Sequence, residues 1–263
     1  MRLGTRIAVI DDDNQILLSK RGDFGTWALP GGRVDSGELI HESAAREVQE
    51  ETGLEVEIDR PVGLYFQQGR SRMNILYRAK PIGGELFGKT DETLDNRFFS
   101  PDKLPENLFG KFYIDHTFSG KTYLHTLETP FWDLFKLDMK LRWRWIRNLL
   151  AGRPEPKFTP FTVKAVGVIR HENRVLTKNG TLPSIISDGS RALDEALNHN
   201  LKISANWQWL GLWQDVVSDT MEFVFGAKGQ SKAGNYVSID NLPARQRQYF
   251  EQSTEQIWLM ANE

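Results

Sequence analysis

The chain has no cysteine in 263 residues, only 11 prolines, and no excess of either charge, with 33 Lys and Arg against 35 Asp and Glu. Without cysteine there is no disulfide framework, no thiol nucleophile and no cysteine-ligated zinc site. A formal net charge of −2 offers no bulk attraction to nucleic acid, and no nucleic-acid partner is expected. No apolar run approaches the roughly 20 residues of a membrane span. Met1 to Arg6 leads straight into the short apolar stretch Ile7 to Ile10, too brief for the core of a signal peptide. A soluble, cytoplasmic protein is the expectation. Against these absences stand 40% hydrophobic residues, enough for real cores in one large or two modest domains.

The most informative stretch is residues 32 to 54, which reads G-x5-E-x7-R-E-U-x-E-E-x-G-U, with U an aliphatic residue. Its single-residue positions are Gly32, Glu38, Arg46, Glu47, Glu50, Glu51 and Gly53. At a background of roughly 7% per residue type, a chance match at one starting point is on the order of one in 10^8. His41 to Thr52 holds good helix formers and ends at Gly53, a C-terminal stop. At about 100° per residue, Glu47, Glu50 and Glu51 share an arc of roughly 100°. Like charges at these spacings repel on a solvated helix. A hard divalent cation removes that penalty, and oxygen-only ligands suit Mg2+ or Mn2+. Arg46, four residues before Glu50, is placed to orient its carboxylate. An acidic solvent-facing helix would explain a lone Glu-x-x-Glu-Glu better, but not the glycines and Glu38 at fixed spacing.

This pattern resembles the Nudix box, the signature of hydrolases that cleave a nucleoside diphosphate linked to another group. The resemblance implies an α/β/α sandwich with a mixed sheet, of α/β (α+β) class, and a loop-helix-loop at the box. Glu47, Glu50 and Glu51 match the family's metal-binding glutamates. Gly31 matches the residue whose carbonyl commonly joins them, and the lead-in Trp27 to Gly32 is also similar. The catalytic set it implies is Glu51, Glu50, Arg46 and a loop glutamate. Arg21, Trp27, Gly32 and Glu38 are candidates to meet substrate, with a rim charge as the other reading of Arg21 and core packing slightly favoured for Trp27.

Strands are expected at Arg6 to Ile10, Gln15 to Ser19, Glu55 to Ile58, Val62 to Phe66, Asn74 to Ala79 and Arg97 to Phe99. Asp11 to Asp13 reads as a polar hairpin tip. The loop from Gly83 to Asp95 carries Glu92, the residue that fits the general base or extra ligand of several Nudix subfamilies, with Glu85 and Asp91 as rivals. A first unit is expected to close at residue 108.

The C-terminal part repeats the first with its active parts missing. Gly167 to Leu176 superposes on Ala8 to Leu17, Ala192 to Leu201 on Ala45 to Leu54, Gly211 to Gln214 on Gly63 to Phe66, and Asp240 to Pro243 on Asp102 to Pro105. In this alignment Leu193, Asp194, Leu197 and Asn198 stand where Arg46, Glu47, Glu50 and Glu51 stood. Residues 161–263 are therefore expected to be a degenerate Nudix-like domain serving binding, dimerisation or gating, with an unrelated α+β domain as the weaker alternative.

Residues 109–160 form a bridge too long to be structureless. Trp132, Phe135, Met139, Trp143, Ile146, Leu149 and Leu150 recur at helical spacing over about 130–151, and a Pro-rich linker follows to Pro160. Packing between domains or across a homodimer is the preferred reading of this helix, and lying on a membrane surface the alternative. Tyr113, His116 and His125 are candidates to reach over the active site. The expected activity is Mg2+-dependent (or Mn2+-dependent) hydrolysis of a nucleoside diphosphate derivative such as ADP-ribose or a nucleotide sugar, releasing a nucleoside monophosphate. The alternatives are a nucleotide sensor and a pyrophosphohydrolase that cleanses nucleoside triphosphates. One fold and one box serve many substrates.

Overall fold

The computed structural model describes residues 1–128, 139, 142–143, 160–172, 174–228, 234–251 and 258–262. The helix expected at about 130–151 and the linker after it lie outside these residues, but for Met139, Arg142, Trp143 and Pro160. No helix among the described residues is long and apolar enough to cross a membrane.

The first half is built on a mixed sheet of β1 (Arg2–Val9), β5 (Arg72–Gly84), β4 (Leu54–Gln67) and β7 (Tyr123–Leu127), side by side in that order. β1 runs parallel to β5, β5 antiparallel to β4, and β4 parallel to β7. Alternation along β1 sends Leu3, Ile7 and Val9 to one face and Ala8 to the other. The first face receives α1 (Ile40–Thr52) through Ile40, Ala44 and Val48, one stripe at a spacing of four. The second face is covered by a small sheet of β3 (Trp27–Ala28), β2 (Ile16–Arg21) and β6 (Thr93–Phe99), and by α2 (Lys111–Phe118) through Tyr113 and Ile114. The mixed-sheet α+β class expected from the sequence is the class observed.

α1 stops at Gly53 (φ 81), whose N–H donates to the Gln49 carbonyl at 2.8 Å. A side chain at Gly53 would run into the Glu85 carbonyl and the Phe87 ring. β4 is one strand where two were expected, because bulges at Ile58/Arg60 and Pro61/Gly63 absorb Pro61 without ending the ladder. Residues 111–127, expected as the start of the bridge, instead carry α2 and β7 and complete the first sheet.

The second half contains β8 (Thr162–His171), β9 (Arg174–Thr177), β10 (Ser184–Ile186), α3 (Leu193–Leu201), β11 (Gln208–Asp215), β12 (Thr220–Lys228), β13 (Asn235–Ser238), α4 (Ala244–Glu251) and β14 (Trp258–Asn262). Its sheet runs β13-β9-β8-β12-β11-β14, with β10 on β8. From β8 to β14 the directions are parallel, antiparallel, parallel, as they are from β1 to β7. β13 pairs antiparallel with β9 as β6 does with β2. Leu64 lies opposite Ile75 and Leu212 opposite Phe223, and a bulge precedes Gly63 and Gly211 alike.

The same ladders revise the expected register between the halves. Thr5 faces Ile75 and Ala165 faces Phe223, so Gly167 answers to Ile7 and not to Ala8. In a strand that one residue exchanges the two faces. α3 differs by two residues. Its buried stripe Leu193, Leu197, Leu201 and its left-handed cap Lys202 (φ 54) answer to Ala44, Val48, Thr52 and Gly53. Ala196, His199 and Asn200 then stand where Glu47, Glu50 and Glu51 stand in α1. Between the halves, the α1 side of one sheet and the α3 side of the other merge into a single apolar cluster that includes Leu3, Val48, Phe161 and Phe223.

Candidate active site

The segment after β3 lies along the edge of β1. Ile7 N–H donates to the Pro30 carbonyl (2.9 Å), Thr5 N–H to the Gly32 carbonyl (2.9 Å) and Val34 N–H to the Leu3 carbonyl (3.3 Å). Gly31 (φ 136) presses so closely on Thr5 and Arg6 that no side chain fits, and the space a Cβ would take at Gly32 is filled by the Glu47 carboxylate. The two glycines thereby let the acidic face of α1 come up to the backbone. Gly31 N–H donates to Glu51 Oε2 at 3.0 Å. At the end of α1, the buried Asn96 of β6 donates to the Glu51 carbonyl (2.9 Å), which also accepts from Thr93 Oγ1 (3.2 Å).

Arg46 ties the box together. It grips Glu38 with two nitrogens (Nε to Oε1 2.7 Å, Nη2 to Oε2 3.1 Å), and its Nη1 reaches Glu47 Oε1 (3.2 Å) and Glu50 Oε2 (3.1 Å). Its pKa is raised, first by the hydrogen bond to Glu38 and then by the three carboxylates against the opposing effect of burial. Arg46 thus bonds Glu50, the carboxylate it is expected to orient, and holds Glu38 with two further bonds.

Burial pushes the Glu51 carboxyl up to about 7, against the Gly31 N–H and Arg6, which favour its charge. Burial likewise raises Glu47, with Glu50 and Glu92 adding like-charge repulsion and Arg46 opposing. Glu50 is the exposed member of the three, its side chain 61% accessible. Two arginines, Arg6 and Arg21, bear on Glu51, and Arg72 adjoins Arg6. Arg6 donates Nη1 to the Gly31 carbonyl at 2.8 Å, and burial lowers its pKa. Arg72 is lowered to about 10 by burial and by its neighbours Arg6 and Arg2, and no carboxylate among the described residues pairs with it. Arg21 forks onto Asp23 (2.9 and 2.7 Å); despite burial its pKa is raised by that pair, with Glu51 and Glu92 contributing.

Glu92 is exposed on the loop before β6, and its carbonyl accepts from Gly22 N–H at 3.0 Å. Its charge bears on Glu47 and on Arg21. The rivals Glu85 and Asp91 are exposed on the same loop. Trp27 packs edge-to-face on Phe99 (4.9 Å between centroids) at the margin of the second core, the packing role weighed for it. His116 and His125 gather around Tyr65, which bonds His116 Nδ1 at 2.8 Å, and His116 stacks on Tyr123. Tyr113 is buried, its hydroxyl bonded to Asn74.

Sequence reasoning missed Arg6, Arg72, Thr93 and Asn96. Arg6 carried a signal, a cation at the start of the buried strand expected at Arg6 to Ile10. The site's donor set is hard oxygen: three glutamates, two of them with raised pKa values that a divalent cation would bring down. Among the described residues no three acidic or imidazole groups are already gathered as a closed cage. Glu47 and Glu50 share one Arg46 nitrogen while Glu51 turns to Gly31.

The chain is similar to known proteins over its first half. A family model described as the NUDIX domain matches residues 1–117. A Bacillus subtilis (strain 168) protein provisionally named an 8-oxo-dGTP diphosphatase is 37% identical over 102 residues, 39% of this chain and 68% of that protein. An ADP-ribose pyrophosphatase of Methanocaldococcus jannaschii is 36% identical over 123 residues, 44% of this chain and 69% of that protein. Among solved structures, a NUDIX hydrolase from Nitrosomonas europaea aligns over 49% of this chain and 79% of that one, at 26% identity and a TM-score of 0.44.

Proposed function

This chain belongs to the Nudix family of pyrophosphohydrolases, and from that premise we propose that its first half hydrolyses the pyrophosphate bond of a nucleoside diphosphate linked to a further group. ADP-ribose or a nucleotide sugar is the substrate type, and a nucleoside monophosphate is released. The observation that carries this reading is the meeting of opposite charges. Partly buried Glu47 and Glu51 on α1 bear on Arg6, a buried cation that donates to the Gly31 carbonyl. A diphosphate bound through a divalent cation satisfies both sides.

Glu47, Glu50 and Glu51 would hold Mg2+ or Mn2+, which when bound neutralises charge developing on the phosphate oxygens. Arg46, itself held by Glu38, keeps Glu47 and Glu50 in place. Arg6 and Arg21 orient the polyphosphate, and Gly31 and Gly32 let the acidic face of α1 come up against the backbone of β1 beside it. Glu92 takes the proton of the attacking water. The Bacillus relative's name favours one second reading, removal of damaged nucleoside triphosphates, which uses the same residues with a different base pocket.

A Mg2+-dependent hydrolysis screen across ADP-ribose, nucleotide sugars, dinucleoside polyphosphates and nucleoside triphosphates, run beside Glu51→Gln, tests this. Turnover of one class, lost in the variant, supports the reading. Turnover that survives Glu51→Gln overturns the metal assignment. Metal-dependent nucleotide binding without hydrolysis would replace the enzyme by a sensor.

A further inference from the structure

We infer that the second half stands to the first as one subunit of a symmetric dimer stands to the other, and that it holds the loop carrying Glu38, with Gln214 and Asp219 as positioning residues for the site. The meaning given to that loop rests on the proposed hydrolase reading. The contacts themselves do not.

A two-fold relation makes its own signature: if residue i touches j, the counterpart of j touches the counterpart of i. Three sets of contacts here have that form. Met1 and Phe161 occupy matching positions before β1 and β8, and they bond reciprocally, the N-terminal amine to the Phe161 carbonyl (2.8 Å) and Phe161 N–H to the Met1 carbonyl (2.9 Å). Ser71 and Asp219 each end the turn between the central antiparallel strands of their half, with φ of 46 and 48. Gly37 and Gly189 sit in the loops leading to α1 and α3, with φ of 77 and 76. Ser71 packs on Gly189 so closely that no side chain fits there, and Asp219 accepts from Gly37 N–H at 3.2 Å and from Ser36 Oγ. Finally, the equivalent faces of the two sheets, those carrying α1 and α3, share one apolar cluster.

The symmetry breaks where the intact box lies. Gln214, opposite Met221, is the ladder counterpart of Phe66, opposite Met73. Its amide is 3% exposed and clasps the box loop from both sides, Nε2 donating to the Glu38 carbonyl (2.6 Å) and Oε1 accepting from Ile40 N–H (3.0 Å). The residue before α1, Leu39, has no side chain able to cap the helix. One of the helix's open N–H groups is therefore met from the other half. From there the bonds continue through the Glu38 carboxylate to Arg46 and on to Glu47 and Glu50. The second half has no acids at the matching positions of α3, and the matching residue of the first half, Phe66, has no amide to offer. The clasp is built toward the live box alone.

The test uses the full chain and two variants, Gln214→Met, which keeps the volume and loses both bonds, and Asp219→Ala at the rim, which leaves the buried cluster untouched should the first fail to fold. Amide hydrogen exchange of residues 36–40 and Mn2+ titration are read together, with Glu51→Gln as the control for where Mn2+ binds. Faster exchange of the Gly37 and Ile40 amides, with Mn2+ binding weakened by roughly tenfold as outer-shell losses do, supports the inference. Unchanged exchange overturns it. Faster exchange with unchanged Mn2+ affinity overturns the positioning role while leaving the interface. If the unaltered chain binds no Mn2+, or Glu51→Gln binds it equally, the metal reading fails instead and the exchange rates alone decide the clasp.

Discussion

Glu51→Gln in metal-free protein should stabilise the fold at pH 8 and remove part of its pH dependence. In the unfolded chain Glu51 titrates near the ordinary 4.5, and in the folded one near 7. Below pH 4.5 both states hold the proton and the residue adds no pH dependence. Between 4.5 and 7 the folded state binds a proton that the unfolded state has lost, so stability falls as pH rises, by up to about 1.4 kcal/mol per pH unit. Above 7 both are ionised and the full cost of the buried charge remains, about 3 kcal/mol from these two values. Glutamine keeps an oxygen for the Gly31 N–H and carries no charge. The two proteins should then be equally stable near pH 4.5 and differ by about 2–3 kcal/mol at pH 8. Urea melts at pH 4.5, 6 and 8 in the presence of a chelator measure this. Added Mg2+ should raise the unaltered protein at pH 8 by mass action and leave the variant unmoved. Parallel curves for the two proteins, or a variant less stable at pH 8, would refute the reasoning that burial without a cation strains this carboxylate.

Glu92→Gln should lower kcat by about 10^2 or more with little change in KM, since a base acts in the transition state; unchanged turnover removes it from the mechanism. Arg46→Lys cannot reproduce the fork onto Glu38 while reaching Glu47 and Glu50, and metal binding should weaken about tenfold in a titration with the melting temperature nearly kept. Trp27→Ala should cost about 2 kcal/mol in a denaturant melt through lost packing on Phe99 and leave KM unmoved. A raised KM would return Trp27 to the substrate.

How far the sequence could be read depended on the range of the interactions. α1 and its stop at Gly53 came from local propensity and the box spacing, and the structure places them within a residue of the expectation. Pro61 interrupts the strand pattern of β4 in the sequence, and only the partner strand shows that bulges accommodate it. α2 and β7, at eight and five residues, carry too short a pattern to stand out from the bridge, and what makes β7 a strand is parallel pairing with a segment far upstream. The repeat is an expectation of the sequence, and the register of its short ungapped matches differs from the one the ladders give by one residue in β8 and from the one the buried stripes give by two in α3. Hydrogen-bond ladders and buried stripes set that register. Within the candidate site, the glutamates and Arg46 were readable from the box, whereas Arg6 and Gln214 meet it only through tertiary structure.

The pairing of Met1 with Phe161 also sets an order of events at the ribosome. All strands of the first sheet have been made once Leu127 is out, yet the residues that clasp its box loop, Gln214 and Asp219, come much later in the chain. At about 5–20 residues per second of synthesis, the first half waits several seconds with the part of its α1-side apolar cluster that meets the second half uncovered. The long bridge adds little to the entropic cost of closing that gap, because loop closure grows only with the logarithm of length. The hazard for this protein is therefore one of timing: a nascent first half that meets another nascent first half before its own second half arrives.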